Sequence, residues 1–184
     1  MQVQPVQLQS TAPWKHTAIH VDITLSHLIS KKQHSVEMMK ALTLSTIDAY
    51  SEYIAVYTDG SIDESGRTAC SYHIPTLGIA VAARLTDDLC VYTTELTDIT
   101  IAVDRIIELN PTYMHKYAIF SDSLSVLTAL SNHTAAAASS LNFNNLINKL
   151  NKLHTSGKLI WIPGRVQVEG NEVADNLAKL ALNN

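Results

Sequence analysis

The chain holds 184 residues, 46% of them apolar, which suits one globular domain with room for an extra segment. Thirteen Lys plus Arg stand against seventeen Asp plus Glu, and the net charge of −4 argues against a highly basic, non-specific nucleic-acid binder. An enzyme that meets nucleic acid through metal ions stays open.

Residues 1–52 read as an N-terminal connector, partly disordered or packed on the domain. Gln-rich Met1 to Ser10 has the composition of a disordered lead-in. Thr17 to Leu25 alternates in part, enough for an edge strand, and Val36, Met39, Leu42, Leu44 and Ile47 follow at a ragged helical spacing. Such an opening looks like that of a piece from a longer chain. No apolar run is long enough to span a bilayer, and the N-terminus lacks the apolar region of a signal peptide. An intracellular protein is expected, in cytoplasm or nucleus.

Residues 53–184 carry the sharper signals. Tyr53 to Tyr57 (YIAVY) has the β-branched and aromatic content of a buried strand, and Asp59-Gly60 is expected to end it in a turn. Beyond the polar turn of Ile62 to Arg67, Thr68–Ile74 and Gly78–Leu85 read as two more strands of an antiparallel meander. Cys70 and Cys90 lack metal or disulfide spacing and read as small core residues. Thr94 to Leu109 then places Leu96, Ile99, Ala102, Val103 and Ile106 on one helical face, closed by Asn110-Pro111.

A fourth strand, Tyr117 to Phe120, ends in Ser121-Asp122-Ser123, and a small polar residue there caps a helix from Leu124 to Leu130. His133 to Ser140 is a low-complexity link or helical extension, and its histidine reads as solvated. Leu141 to Leu153 is a further helix, Lys158 to Ile162 a fifth strand, and the last helix runs from Gly170-Asn171 through Leu182. The order implies an α/β fold with one mixed five-stranded sheet flanked by helices: strands 1–3 antiparallel, and strands 1, 4 and 5 parallel at the centre.

Asp59 and Asp122 each end an expected parallel strand, Glu95 opens a helix, and Asp175 lies in the first turns of the last one. Acids at helix starts are common, because unpaired backbone N–H groups favour negative charge there. Four clustered carboxylates without lysines would instead repel one another and raise their own pKa values. A divalent cation relieves that, and magnesium is the hard ion that prefers oxygen donors.

The run YTDGS, then TEL on a helix, then FSDS, then WIPGRVQVEGNEVADNLA resembles the catalytic core of a type I ribonuclease H, over roughly residues 53–182. It is most similar to the ribonuclease H domains that follow reverse transcriptase in non-LTR retrotransposons, and Pro13-Trp14 with the apolar stretch after it resembles the connector before such domains. The resemblance implies an endonuclease that cuts the RNA strand of RNA–DNA hybrids with two Mg²⁺ ions, Mn²⁺ being able to substitute. Asp59, Glu95, Asp122 and Asp175 fall on its catalytic, metal-binding positions, and a reverse transcriptase in a longer parent chain is an implied partner. Ser61, Ser123, Arg165 and Asn171 fall beside the acids, where the family approaches its substrate.

Asp63, Glu64, Asp98, Asp104, Glu169 and Glu172 are the neighbouring acids set aside by this assignment. Asp98 is the strongest competitor, one turn after Glu95 on the same helix face. Trp161 and Pro163 read as packing and turn residues. Where the family carries a histidine before the last helix, this chain has Arg165, which keeps its proton and cannot act as a base. Slowed activity is expected. Arg165 and the acidic balance also favour a second reading, a degenerate or co-opted module that binds nucleic acid or protein without cutting. A 3′-exonuclease would need Asp-x-Glu where Asp59-Gly60-Ser61 stands.

Overall fold

The structure is a computed structural model that describes residues 20–29, 34–110, 114–132, 140–153 and 156–183. Met1 to Ser10, Pro13-Trp14, Pro111 and residues 133–139 of the low-complexity link lie outside those residues. In chain order the elements are β1 (Val21–Asp22), α1 (Thr24–Leu28), α2 (Val36–Asp48), β2 (Ile54–Ile62), β3 (Thr68–Ile74) and β4 (Ile79–Arg84). They continue with α3 (Val91–Leu109), β5 (Tyr117–Ser121), α4 (Leu124–Asn132), α5 (Leu141–Leu153), β6 (Gly157–Trp161) and α6 (Glu169–Ala181).

One mixed sheet runs in the order β1-β6-β5-β2-β3-β4. β2, β3 and β4 pair antiparallel, whereas β1, β6, β5 and β2 are parallel neighbours. The expected five strands are all present, and two-residue β1 joins β6 as a sixth. Among the described residues of the Thr17–Leu25 stretch, Val21 and Asp22 pair with β6, and Thr24–Leu28 turns into helix α1.

Strand side chains alternate between the two faces of the sheet. Val56, Tyr117, Ile119 and Leu159 meet the apolar stripes of α3, α4 and α5, including Ile99, Val103, Leu127 and Leu146. Their neighbours Tyr57, Ala118, Phe120 and Ile160 face the other way, against Met39 of α2 and Ala174 of α6. Two apolar layers thus clamp the sheet, and burial of this surface is what holds α3 and α6 in place beside β2.

Three local expectations are corrected. Asp59-Gly60 does not end the first strand: β2 runs on through Ile62, with Asp59 opposite Ser71 of β3. Gly60 serves close packing instead, since a Cβ there would lie 3.0 Å from Thr94 Cγ2 and 3.3 Å from the Glu95 backbone nitrogen. Helix α3 starts at Val91 rather than Thr94, so Glu95 lies in its second turn and away from the exposed N–H groups. Cys70 is buried as expected, but Cys90 is exposed at the N-cap of α3.

Candidate active site

Parallel pairing of β2 with β5 stops at Thr58 and Ser121. The next residues on the two strands are Asp59 and Asp122, so the register sets both acids at one level, just past the last paired residues. Glu95 comes from α3 on one face of the sheet, and Asp175 from α6 on the other. Asp59, Glu95, Asp122 and Asp175 line a single cleft of about 280 Å³, together with Ser61, Arg165, Asn171, Glu172 and Lys179.

Asp59 is nearly buried, 8% exposed. Burial pushes its carboxyl up to about 8, helped by the charges of Asp122 and Asp175 and a hydrogen bond with Asp175, while Lys179 works the other way. The other acids are held by specific partners. Glu95 Oε2 accepts hydrogen bonds from Ser123 Oγ at 2.5 Å and Ser125 Oγ at 3.1 Å. Asp175 Oδ2 accepts one from Lys179 Nζ at 2.5 Å. The Trp161 indole donates to the Asp122 backbone oxygen at 3.1 Å, so this residue both packs and tethers the loop that bears Asp122. Gly164 approaches the same residue so closely that a Cβ would fall 2.1 Å from Asp122 Oδ2.

Ser61 lines the cleft from β2, and Asn171 lines it from the first turn of α6. Asn171 is 4% exposed and its Oδ1 has no hydrogen-bond partner, which leaves a buried acceptor at the cleft wall. Arg165 also reaches the cleft, from the loop between β6 and α6. That loop is strained: Arg165 and Gln167 hold φ of 64° and 59°, a left-handed conformation seldom adopted by residues with a Cβ. Ser123 does not line the cleft. It stands behind the wall, bonded to Glu95 and accepting the Val126 N–H as the cap of α4.

The neighbouring acids separate by environment. Asp63 is used within its own turn, where it binds Ser65 and Arg67. Asp104 pairs with Lys149 at 2.6 Å, joining α3 to α5. Asp98 is 1% exposed, and burial followed by the charges of Asp59, Asp122 and Glu95 pushes its carboxyl well above the usual range. It lies buried behind the acids and does not line the cleft. Glu172, set aside from sequence, lines the cleft, as does Lys179, which the sequence reading did not single out although it stands one helical turn after Asp175.

All four acids line one cleft and offer carboxylate oxygen, the donor a hard divalent cation takes. That chemistry fits Mg²⁺ or Mn²⁺. Among the described residues, no three acidic, His or Cys side chains are drawn together in a form that already holds an ion. Glu95 is held by its two serines and Asp175 by Lys179, so the carboxylates have to turn inward to bind one.

Fold and site together define an α/β domain with an anionic cleft where two neighbouring parallel strands cease to pair. The RNase H family model matches residues 51–183, and the chain belongs to that family. Membership supports ribonuclease H activity in general, on RNA–DNA hybrids and with divalent metal. A search of curated proteins found no match. No helix among the described residues is long and apolar enough to cross a membrane.

Proposed function

We propose that this domain is an active endonuclease that hydrolyses the RNA strand of RNA–DNA hybrids. The observation that carries it is the meeting of Asp59, Glu95, Asp122 and Asp175 in one cleft from four separate parts of the chain. Two Mg²⁺ ions held by these carboxylates would supply activation of the attacking water and stabilisation of the leaving oxygen. Asp59, level with Asp122 and hydrogen-bonded to Asp175, would be the central acid of the set that holds them. Ser123 and Ser125 orient Glu95, Trp161 tethers the Asp122 backbone, and the Arg165 guanidinium receives a phosphate of the hybrid or of the product. Ser61 and Asn171 face the strand being cut, with 2′-hydroxyl contacts selecting RNA. Because Arg165 cannot relay a proton, turnover is slow relative to an enzyme with histidine at this place.

The unit proposed to act is residues 53–184, with 1–52 as a connector and a reverse transcriptase earlier in a longer parent chain; the motif resemblance alone supports that setting. A labelled hybrid titrated with Mg²⁺ tests the proposal. Cleavage is expected in the RNA strand alone, falling on the order of a hundred- to a thousandfold in Asp59→Asn. Hybrid binding by the folded domain without Mg²⁺-dependent cleavage establishes the second reading instead, a binding module. That reading draws on the carboxylates not yet gathered to hold an ion.

A further inference from the structure

Lys179 stands on α6 one turn after Asp175, with its ammonium 2.5 Å from the Asp175 carboxylate and its side chain lining the acid cleft. We infer that Lys179 is a positioning residue for Asp175: an internal counter-ion that competes with the divalent cation for this carboxylate and so sets the metal affinity of the site. The inference rests on the metal-dependent reading above and names what regulates that site.

Two further observations support it. The Lys179 charge also reaches Asp59, where it opposes the neighbouring acids. Arg165, another cation of the cleft, makes no ion pair among the described residues, so the pairing with Asp175 is particular to Lys179. A lysine suits exchange, being a compact charge on a flexible stem, and its side chain here is 57% exposed. Such a pair is weak enough to break, yet a carboxylate engaged by it is not free for a metal ion. Apparent metal affinity then scales with the fraction of chains in which Asp175 is released from the lysine.

Calorimetric titration of the full chain with Mn²⁺ tests this without relying on activity. Wild type, Lys179→Met, Lys179→Arg, Arg165→Gln and Asp175→Asn are compared after circular dichroism confirms folding, with Lys179→Gln replacing the methionine variant if that one fails to fold. Lys179→Met is expected to bind Mn²⁺ about three- to fivefold tighter. Lys179→Arg should match wild type, Arg165→Gln should tighten binding less than Lys179→Met, and Asp175→Asn should weaken it. Unchanged or weaker binding in Lys179→Met overturns the inference, as does equal tightening in Arg165→Gln, which would reflect only the general field of the cleft. A wild-type chain that binds no Mn²⁺ overturns the metal-dependent reading itself.

Discussion

With its carboxyl pushed up to about 8, Asp59 holds a proton in the folded, metal-free chain at pH values where the unfolded chain has released it. The stability this group contributes is full below about pH 4, declines as pH rises, and is gone above about pH 8. Urea unfolding in EDTA should therefore show stability from this source falling between pH 5 and 8, and Asp59→Asn should flatten that fall. A native chain whose stability climbs equally with pH in wild type and variant would contradict the assignment. Gly164 offers a second test at this scale. Its missing Cβ makes room for Asp122 Oδ2, so Gly164→Ala should displace that carboxylate and lower cleavage by roughly a hundredfold, read as kcat on a labelled hybrid. Its φ is not in the left-handed region, so backbone strain does not enter the comparison.

Helix α6 seats its first turn on an aromatic ring: a Cβ at Gly170 would meet Tyr57 ring atoms at 2.2 to 2.5 Å, and Tyr57 stacks on Phe120 with centroids 5.3 Å apart. Gly170→Ala should lift this end of the helix, cost about 1–3 kcal/mol in urea unfolding and carry Asp175 away from Asp59. The elements themselves were largely legible because their signals are local. A short apolar run ended by small polar residues marked β5, and a three-and-four stripe marked α3 and α5. The start of α3 was not, because Val91, Thr93 and Thr94 are poor helix formers and Cys90 makes no side-chain cap bond. Asp59-Gly60 looked like a turn because the Asp-Gly pair is a turn signal, whereas the helix that explains the glycine lies more than thirty residues further on. β1 was foreshadowed only as an edge strand somewhere in Thr17–Leu25, because its two paired residues are below the length at which a pattern repeats.

At the scale of the molecule, residues 59, 95, 122 and 175 come together only when the sheet and both helix layers are in place. The order of the four motifs made this assembly readable from sequence. The serine ties to Glu95, the lysine on Asp175 and the burial of Asp98 were not, since each depends on side-chain direction in three dimensions. A site absent from the unfolded chain couples metal to folding by mass action, so Mg²⁺ at about a hundred times its Kd should raise the Tm by roughly 5–10 °C. Loss of that shift in Asp122→Asn, by differential scanning fluorimetry, would locate it to the cleft.

The bond from the Trp161 indole to the Asp122 carbonyl gives the domain a built-in optical probe. Indole emission depends on polarity and on hydrogen bonding, and this ring is anchored to the backbone of a residue that lines the acid cleft. With Trp14, the other tryptophan of the chain, replaced by phenylalanine, light from Trp161 should change in step with Mg²⁺ occupancy. The catalytic centre thereby becomes observable in a cuvette without substrate, label or crystal.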